Sequence, residues 1–137
     1  MLLDSNIIIY SVTEKSPKQS AARKFISLHK DNLSVAHQNI NESIRLLTHP
    51  KTPEKIPLSK ATRVVTKITN QLDIITPKPE TLHLSLILIK RYKIRSNQIF
   101  DAYIIATMLT NGISEIATDN EKDFSVFKEI KVFNPFK

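Results

Sequence analysis

The first ten residues, MLLDSNIIIY, constrain the fold more than any other stretch. Met1, Leu2 and Leu3 have no polar face, so they read as a short strand buried on both sides. Strands of that kind belong inside parallel sheets covered by helices. A carboxylate, Asp4, follows at once. In open α/β sheets the ligand crevice lies beyond the carboxyl ends of the strands, which places Asp4 to point into one. Bonding to the amides of a turn is the plainer role for an Asp in this position. Ser5 can begin a turn or cap a short helix through Asn6 to Val12, or the same residues can extend the strand; periodicity leaves both open.

The remaining chain alternates helix-like and strand-like segments. Pro17 to Lys30 reads as a helix that buries Ala21, Ala22, Phe25, Ile26 and Leu28. Leu33 to Ala36 is strand-compatible. Gln38 to Leu47 is helical, with Ile40, Ile44 and Leu47 on one stripe. Glu42 stands roughly opposite that stripe, so the period alone turns it to solvent. Thr48 to Pro57, with three prolines, is an irregular connection. Ser59 is placed to cap a helix whose Ala61, Val64, Val65, Ile68 and Leu72 form the clearest amphipathic pattern in the chain. Asp73 to Thr76 is a further short strand. Glu80 to Tyr92 is apolar enough to predict burial on more than one side.

From a cap at Ser96 or Asn97 a helix runs through Ile99 to Leu109 and stops near Asn111-Gly112. Asp101 shares its face with Ile104, Ile105 and Met108. A carboxylate heading a buried stripe is costly unless it is paired, hydrogen-bonded or bound to a metal; helix-dipole stabilisation explains its place along the helix but not its face. Ser114 to Thr118 and Ile130 to Phe133 complete the strands. Between them an acidic turn, Asp119-Asn120-Glu121-Lys122-Asp123, enters a short helix. The expected architecture is an α/β layer fold with a largely parallel sheet, in one domain over residues 1–137.

Composition narrows the chemistry. There is no Cys, which removes disulfides, thiolate metal sites and catalytic thiols. The single Gly excludes glycine-rich phosphate cradles. With 20 Lys and Arg against 13 Asp and Glu, the net charge of +7 favours polyanionic partners. Lys90, Arg91, Lys93 and Arg95 cluster within six positions, either as phosphate contacts or as a solvated helix end. No apolar run is long enough to span a membrane and no leader pattern is present, so a cytoplasmic protein is expected. Should Asp4, Glu42, Asp101 and the 119–123 loop meet at one end of the sheet, their charges need a cation. An oxygen-only ligand set without Cys or suitably paired His fits Mg²⁺ or Mn²⁺. A basic protein with an acidic metal pocket suits phosphodiester cleavage.

Five pieces, LLDSNIIIY, QNINE, IRSNQIFDAYIIATML, NGISEIATDNEKDF and VFNPF, give the sequence a resemblance to PIN-domain proteins, in particular the VapC-type toxin ribonucleases of prokaryotic toxin–antitoxin pairs. The resemblance implies a PIN-like three-layer α/β fold with a largely parallel five-stranded sheet flanked by helices, a metal-dependent endoribonuclease with an RNA substrate, a homodimer, and inhibition by a small cognate antitoxin. By the same resemblance Asp4 and Asp101 match the two principal metal ligands and Glu42 the third acid, which reverses its solvent-facing reading. Asn6 and Thr118 match supporting positions. The family's fourth acid falls on Asn120, an amide, leaving Asn120, Asp119 and Asp123 as alternatives for that role. The amide also leaves room for a second reading, a catalytically weak PIN fold that binds RNA or protein.

Overall fold

A computed structural model describes residues 1–137. Its five strands are β1 (Leu2–Leu3), β2 (Ser34–Ala36), β3 (Asp73–Ile75), β4 (Glu115–Ala117) and β5 (Lys131–Phe133). They form one all-parallel sheet in the order β3-β2-β1-β4-β5. β1 is central, with Leu2 paired to both Ser34 and Ile116. Successive strand residues point to opposite faces. Leu2 enters a core with Ile104, Ile105, Met108 and Leu88, whereas Leu3 enters one with Ile7, Ile8, Val35 and Val65. Two cores, one on each face, make the three layers.

Seven helices supply those layers: α1 (Ser5–Val12), α2 (Gln19–His29), α3 (His37–Thr48), α4 (Leu58–Thr69), α5 (Thr81–Tyr92), α6 (Gln98–Thr110) and α7 (Glu121–Phe124). The open choice after Asp4 resolves to helix. Asp4 itself is the cap, accepting the Ser5 N–H at 2.7 Å, so Ser5 lies inside α1. Likewise Pro57 precedes α4 and Ser59 falls within it rather than capping it, because proline's fixed φ already suits a helix start. α4 ends at Thr69, and Leu72 is buried from the turn that follows. The residues expected to end the first long helix, around Lys30, form a separate 3₁₀ turn, Lys30–Asn32. No helix is long and apolar enough to cross a membrane.

Two faces differ from their periodic patterns. On α3 the buried residues are Asn39, Ser43 and Leu47, while Ile40 and Ile44 are only half-buried. Asn39 turns inward because its Oδ1 accepts the Ala36 N–H at 3.2 Å, and the Ser43 hydroxyl donates to Asn39 O. Small polar groups bonded to nearby backbone can occupy a tight helix face; the Asn39 Nδ2 stays buried without a partner, and the shifted face leaves Glu42 half-buried. On α5, Leu82 and Leu86 remain more than half exposed, against the expectation of burial on more than one side. Only its Thr81–Ser85–Leu88 side is fully buried, since the sheet and α6 cover one side of the helix.

The loop from α5 to α6 carries the two non-glycine residues with left-handed backbone, Lys93 (φ 53°) and Ser96 (φ 54°). Lys93 closes α5, and Ile94 N–H returns to Ile89 O at 3.0 Å, a left-handed helix cap in which glycine is the unstrained residue. Since that conformation costs an L-residue about 1–2 kcal/mol, offset in part by the greater chain entropy of glycine, Lys93→Gly should stabilise the fold by about 0.5–1 kcal/mol in urea unfolding.

Candidate active site

The strand order places β1 beside both β2 and β4, and the chain changes direction across the sheet between β1 and β4. Crevices open at such points, beyond the carboxyl ends of the strands. Asp4 and Thr118 stand there, each the first residue past its strand. Thr118 Oγ donates to Asp4 Oδ2 at 2.6 Å, and Asn6 Nδ2 donates to the same oxygen at 2.9 Å. Asn6 Nδ2 also reaches Thr118 Oγ at 2.9 Å, and the Asn120 N–H donates to that hydroxyl at 2.9 Å. The hydroxyl thus gives one proton and accepts two, its full capacity.

Ser5, read from the sequence only as a turn or cap residue, joins two acids. Its hydroxyl lies 2.9 Å from Glu42 Oε2 and 3.3 Å from Asp4 Oδ1, and its single proton serves the nearer. Above this layer opens a cleft of about 640 Å³. α3 contributes Gln38, Asn41, Glu42 and Arg45 to it, α6 and its approach contribute Asn97, Phe100 and Asp101, and α7 with its cap contributes Asn120 and Asp123. Asn120 Nδ2 donates to Asp123 Oδ2 at 2.6 Å. Arg45 was also missed. Its position three residues after Glu42 is the available signal, and its guanidinium stands 3.9 Å from Glu42 Oε1.

Charge is concentrated here. Burial pushes the Asp4 carboxyl up to about 6, against the pull of its Thr118 and Ser5 hydrogen bonds and with help from Glu42. Asp101 is pushed up to about 7, first by desolvation and then by the charges of Asp123, Asp4 and Glu42. Nothing in its surroundings lowers it: no protein donor or cation offsets the cost. The sequence-predicted Asp4, Glu42, Asp101, Asn120 and Asp123 are therefore brought together.

Asp119 is not. Its carboxylate leaves the cleft and is held by an ion pair with Lys18, by Tyr10 OH at 2.9 Å and by Asn134 Nδ2 at 3.4 Å. The Lys18 hydrogen bond keeps it below the usual carboxylate range. Lys90, Arg91, Lys93 and Arg95 are exposed on the last turn of α5 and the following loop, and none lines the cleft. Arg91 is paired with Glu129, which leaves Lys90, Lys93 and Arg95 for other partners.

A family model for the PIN domain matches residues 1–130. The chain belongs to the PIN-domain family. Several solved structures share its fold. A toxin–antitoxin complex from Klebsiella pneumoniae is 18% identical, with a TM-score of 0.72 over 99% of this chain and 98% of that one. The sarcin–ricin-loop-cleaving toxin VapC20 of Mycobacterium tuberculosis is 13% identical, with a TM-score of 0.70 over 94% and 97%. A DNA-bound VapBC from Salmonella typhimurium is 15% identical, with a TM-score of 0.73 over 98% and 96%. Comparison with curated protein sequences gives no match.

The PIN cleft can be tested against the cation that its charge calls for. No three acidic or histidine side chains already close around a common point. Mg²⁺ seldom needs such a cage: it retains several waters and is held by one or two carboxylates together with substrate phosphate. The donors fit that demand. All are oxygens, Asp101 has both carboxylate oxygens free of protein donors, and Asp4 keeps a lone pair once Ser5 has turned to Glu42.

Proposed function

We propose that this PIN domain is a Mg²⁺- or Mn²⁺-dependent endoribonuclease, acting in the cytoplasm as the toxin of a type II toxin–antitoxin pair. The observation that carries the reading is Asp101, a carboxylate without a protein donor facing Glu42 and Asp123 across an open cleft. Such a group is stabilised by a cation and by little else. Asp4, Glu42 and Asp101 would hold the ion, with Asp123, oriented by Asn120, beside them. When bound, a hard dication supplies activation of the attacking water and charge neutralisation at the leaving oxygen of the phosphodiester.

The chain's own part is positioning. Thr118 and Asn6 fix the rotamer of Asp4, and Ser5 fixes Glu42. Arg45, at the cleft wall and largely exposed, is placed to meet an RNA phosphate. Lys90, Lys93 and Arg95 extend the positive field beyond the cleft, where Arg95 lies two residues before the lining residue Asn97. If several phosphates are engaged, RNA affinity falls steeply with salt, and replacing Lys90, Lys93 and Arg95 together by Ala should flatten that dependence. Salt-insensitive binding by the unaltered protein would remove these residues from the RNA path.

An antitoxin partner and a homodimer are part of the same proposal. Toxin–antitoxin complexes recur among the structures of this fold, and the exposed Leu82, Leu86 and Phe100 give an apolar surface of the kind that proteins cover. The deciding experiment is cleavage of a labelled mixed-sequence RNA by metal-stripped protein, with and without added Mg²⁺ or Mn²⁺. Cleavage restored by metal is expected. RNA binding with no cleavage under any metal would instead favour the binding module that Asn120 in place of an acid allows.

A further inference from the structure

Lys18 has no place in the cleft, yet three separate segments close around its ammonium. It pairs with Asp119 on the loop after β4, and it lies 5.2 Å from the centre of the Tyr10 ring on α1 and 5.0 Å from that of Phe136 in the C-terminal tail. The two rings pack edge to face at 5.6 Å. An ammonium held by one carboxylate and two aromatic faces is well satisfied, so Lys18 is poorly placed to serve as a free phosphate ligand.

Its partner is equally committed. Asp119 Oδ2 accepts from Lys18 and Tyr10, and Oδ1 accepts from Asn134. With its side chain drawn outward, the Asp119 backbone N–H is presented to Asn6 Oδ1 at 3.3 Å. The Asn6 amide is thereby fixed in one orientation, its NH₂ directed at Asp4 Oδ2 and Thr118 Oγ, both at 2.9 Å. A flipped Asn6 would lose all three bonds and set its carbonyl oxygen against the Asp4 carboxylate. The path from Lys18 to Asp4 is therefore continuous, through the Asp119 carboxylate, the Asp119 N–H and the Asn6 amide.

We propose that Lys18 is a positioning residue for the cleft: by holding Asp119 outward, it sets the 118–120 backbone and the Asn6 amide that orient Asp4, and it keeps a further negative charge out of the site. This rests on the nuclease reading above for its effect on catalysis, but not for the path itself. It assigns Asp119 as an anchor, leaving Asn120 and Asp123 as the loop's contribution to the cleft. Tyr10 shares the task through its hydroxyl.

The test uses the full chain with Lys18→Met, Lys18→Arg, Tyr10→Phe, Asp119→Asn and the double variant Lys18→Met/Asp119→Asn. In ¹⁵N-labelled protein, Lys18→Met should shift the Asn6 side-chain amide signals and speed hydrogen exchange at the Asp119 N–H, while Lys18→Arg preserves both. Outer partners of metal ligands typically affect activity 10–100-fold; at this remove kcat for a dye-labelled mixed-sequence RNA should fall about 10-fold, with KM unchanged. The double variant should be no worse than Asp119→Asn alone, since residues acting through one path are not additive. Unmoved Asn6 signals in folded Lys18→Met would overturn the path, as would additive losses or a loss confined to KM. If Lys18→Met does not fold, Tyr10→Phe, which removes one donor to Asp119 and no charge, must move the Asn6 signals in the same direction; if it does not, the path fails. Should the unaltered protein cut no RNA, the Asn6 signals still decide the path, and the nuclease reading fails separately.

Discussion

Asp101→Asn should reduce RNA cleavage by more than about 100-fold, beyond the 10–100-fold typical of outer partners of a metal ligand, and at the same time raise the unfolding temperature of metal-free protein at pH 8. The two effects have one cause. Asp101 is half-buried, no protein donor reaches it, and Asp123, Asp4 and Glu42 repel it. Removing the charge relieves that repulsion and breaks no hydrogen bond, so the fold gains what the proposed site loses. Asp4→Asn should behave differently. Asp4 Oδ2 accepts from Thr118 and Asn6, and an NH₂ in its place would face another NH₂. Cleavage should again be lost, but without the gain in stability, because both hydrogen bonds to that oxygen go with the charge. Circular dichroism melts in EDTA, run beside the cleavage assay, separate the two. Equal stabilisation by both substitutions would mean that the Asp4 network contributes nothing to the fold.

How much of this could be read beforehand depended on the kind of interaction. β1 was legible because a short strand buried on both faces tolerates only apolar residues, and Asp4 was legible because a polar residue must end such a strand. Asp101 stood out as a charge at the head of the stripe that Ile104, Ile105 and Met108 do bury. Glu42 was misread by period alone. The inward face of α3 is carried by Asn39 and Ser43, whose polarity hides their burial until their backbone partners are known. Asp119 was undecidable for a similar reason. Its direction is chosen by Lys18, Tyr10 and Asn134, 101 and 109 residues before it and 15 after it, and no local pattern reports a contact of that span. The exposed side of α5 shows the converse limit: apolar residues signal a surface to be covered, without saying whether the same chain covers it.

The acidity of the cleft sets an unusual pH dependence for the metal-free protein. Asp4 is raised from 3.8 to about 6 and Asp101 from 3.8 to about 7. A carboxyl raised in the folded state keeps its proton where the unfolded chain has lost it, so the fold binds more protons and stability falls as pH rises through that interval. The window runs from about pH 4 to pH 7 and is flat above it. For the fully buried Asp4, two units at about 1.4 kcal/mol each amount to roughly 3 kcal/mol; Asp101, half open to water, adds in the same direction. Asp119 does not mask the trend. Its depressed carboxyl contributes stability above its unfolded value and loses it only at more acidic pH. Urea unfolding in EDTA should therefore show a more stable protein at pH 5 than at pH 8. Mn²⁺ should narrow that difference, since it binds the ionised acids and competes with protons: at 100 times its dissociation constant a native-state ligand adds about 2.7 kcal/mol, at pH 8 but much less at pH 5. Asp101→Asn should weaken both the pH slope and the Mn²⁺ effect. A protein equally stable at both pH values, and indifferent to Mn²⁺, would show that the carboxylates of the cleft are neither strained nor waiting for a cation.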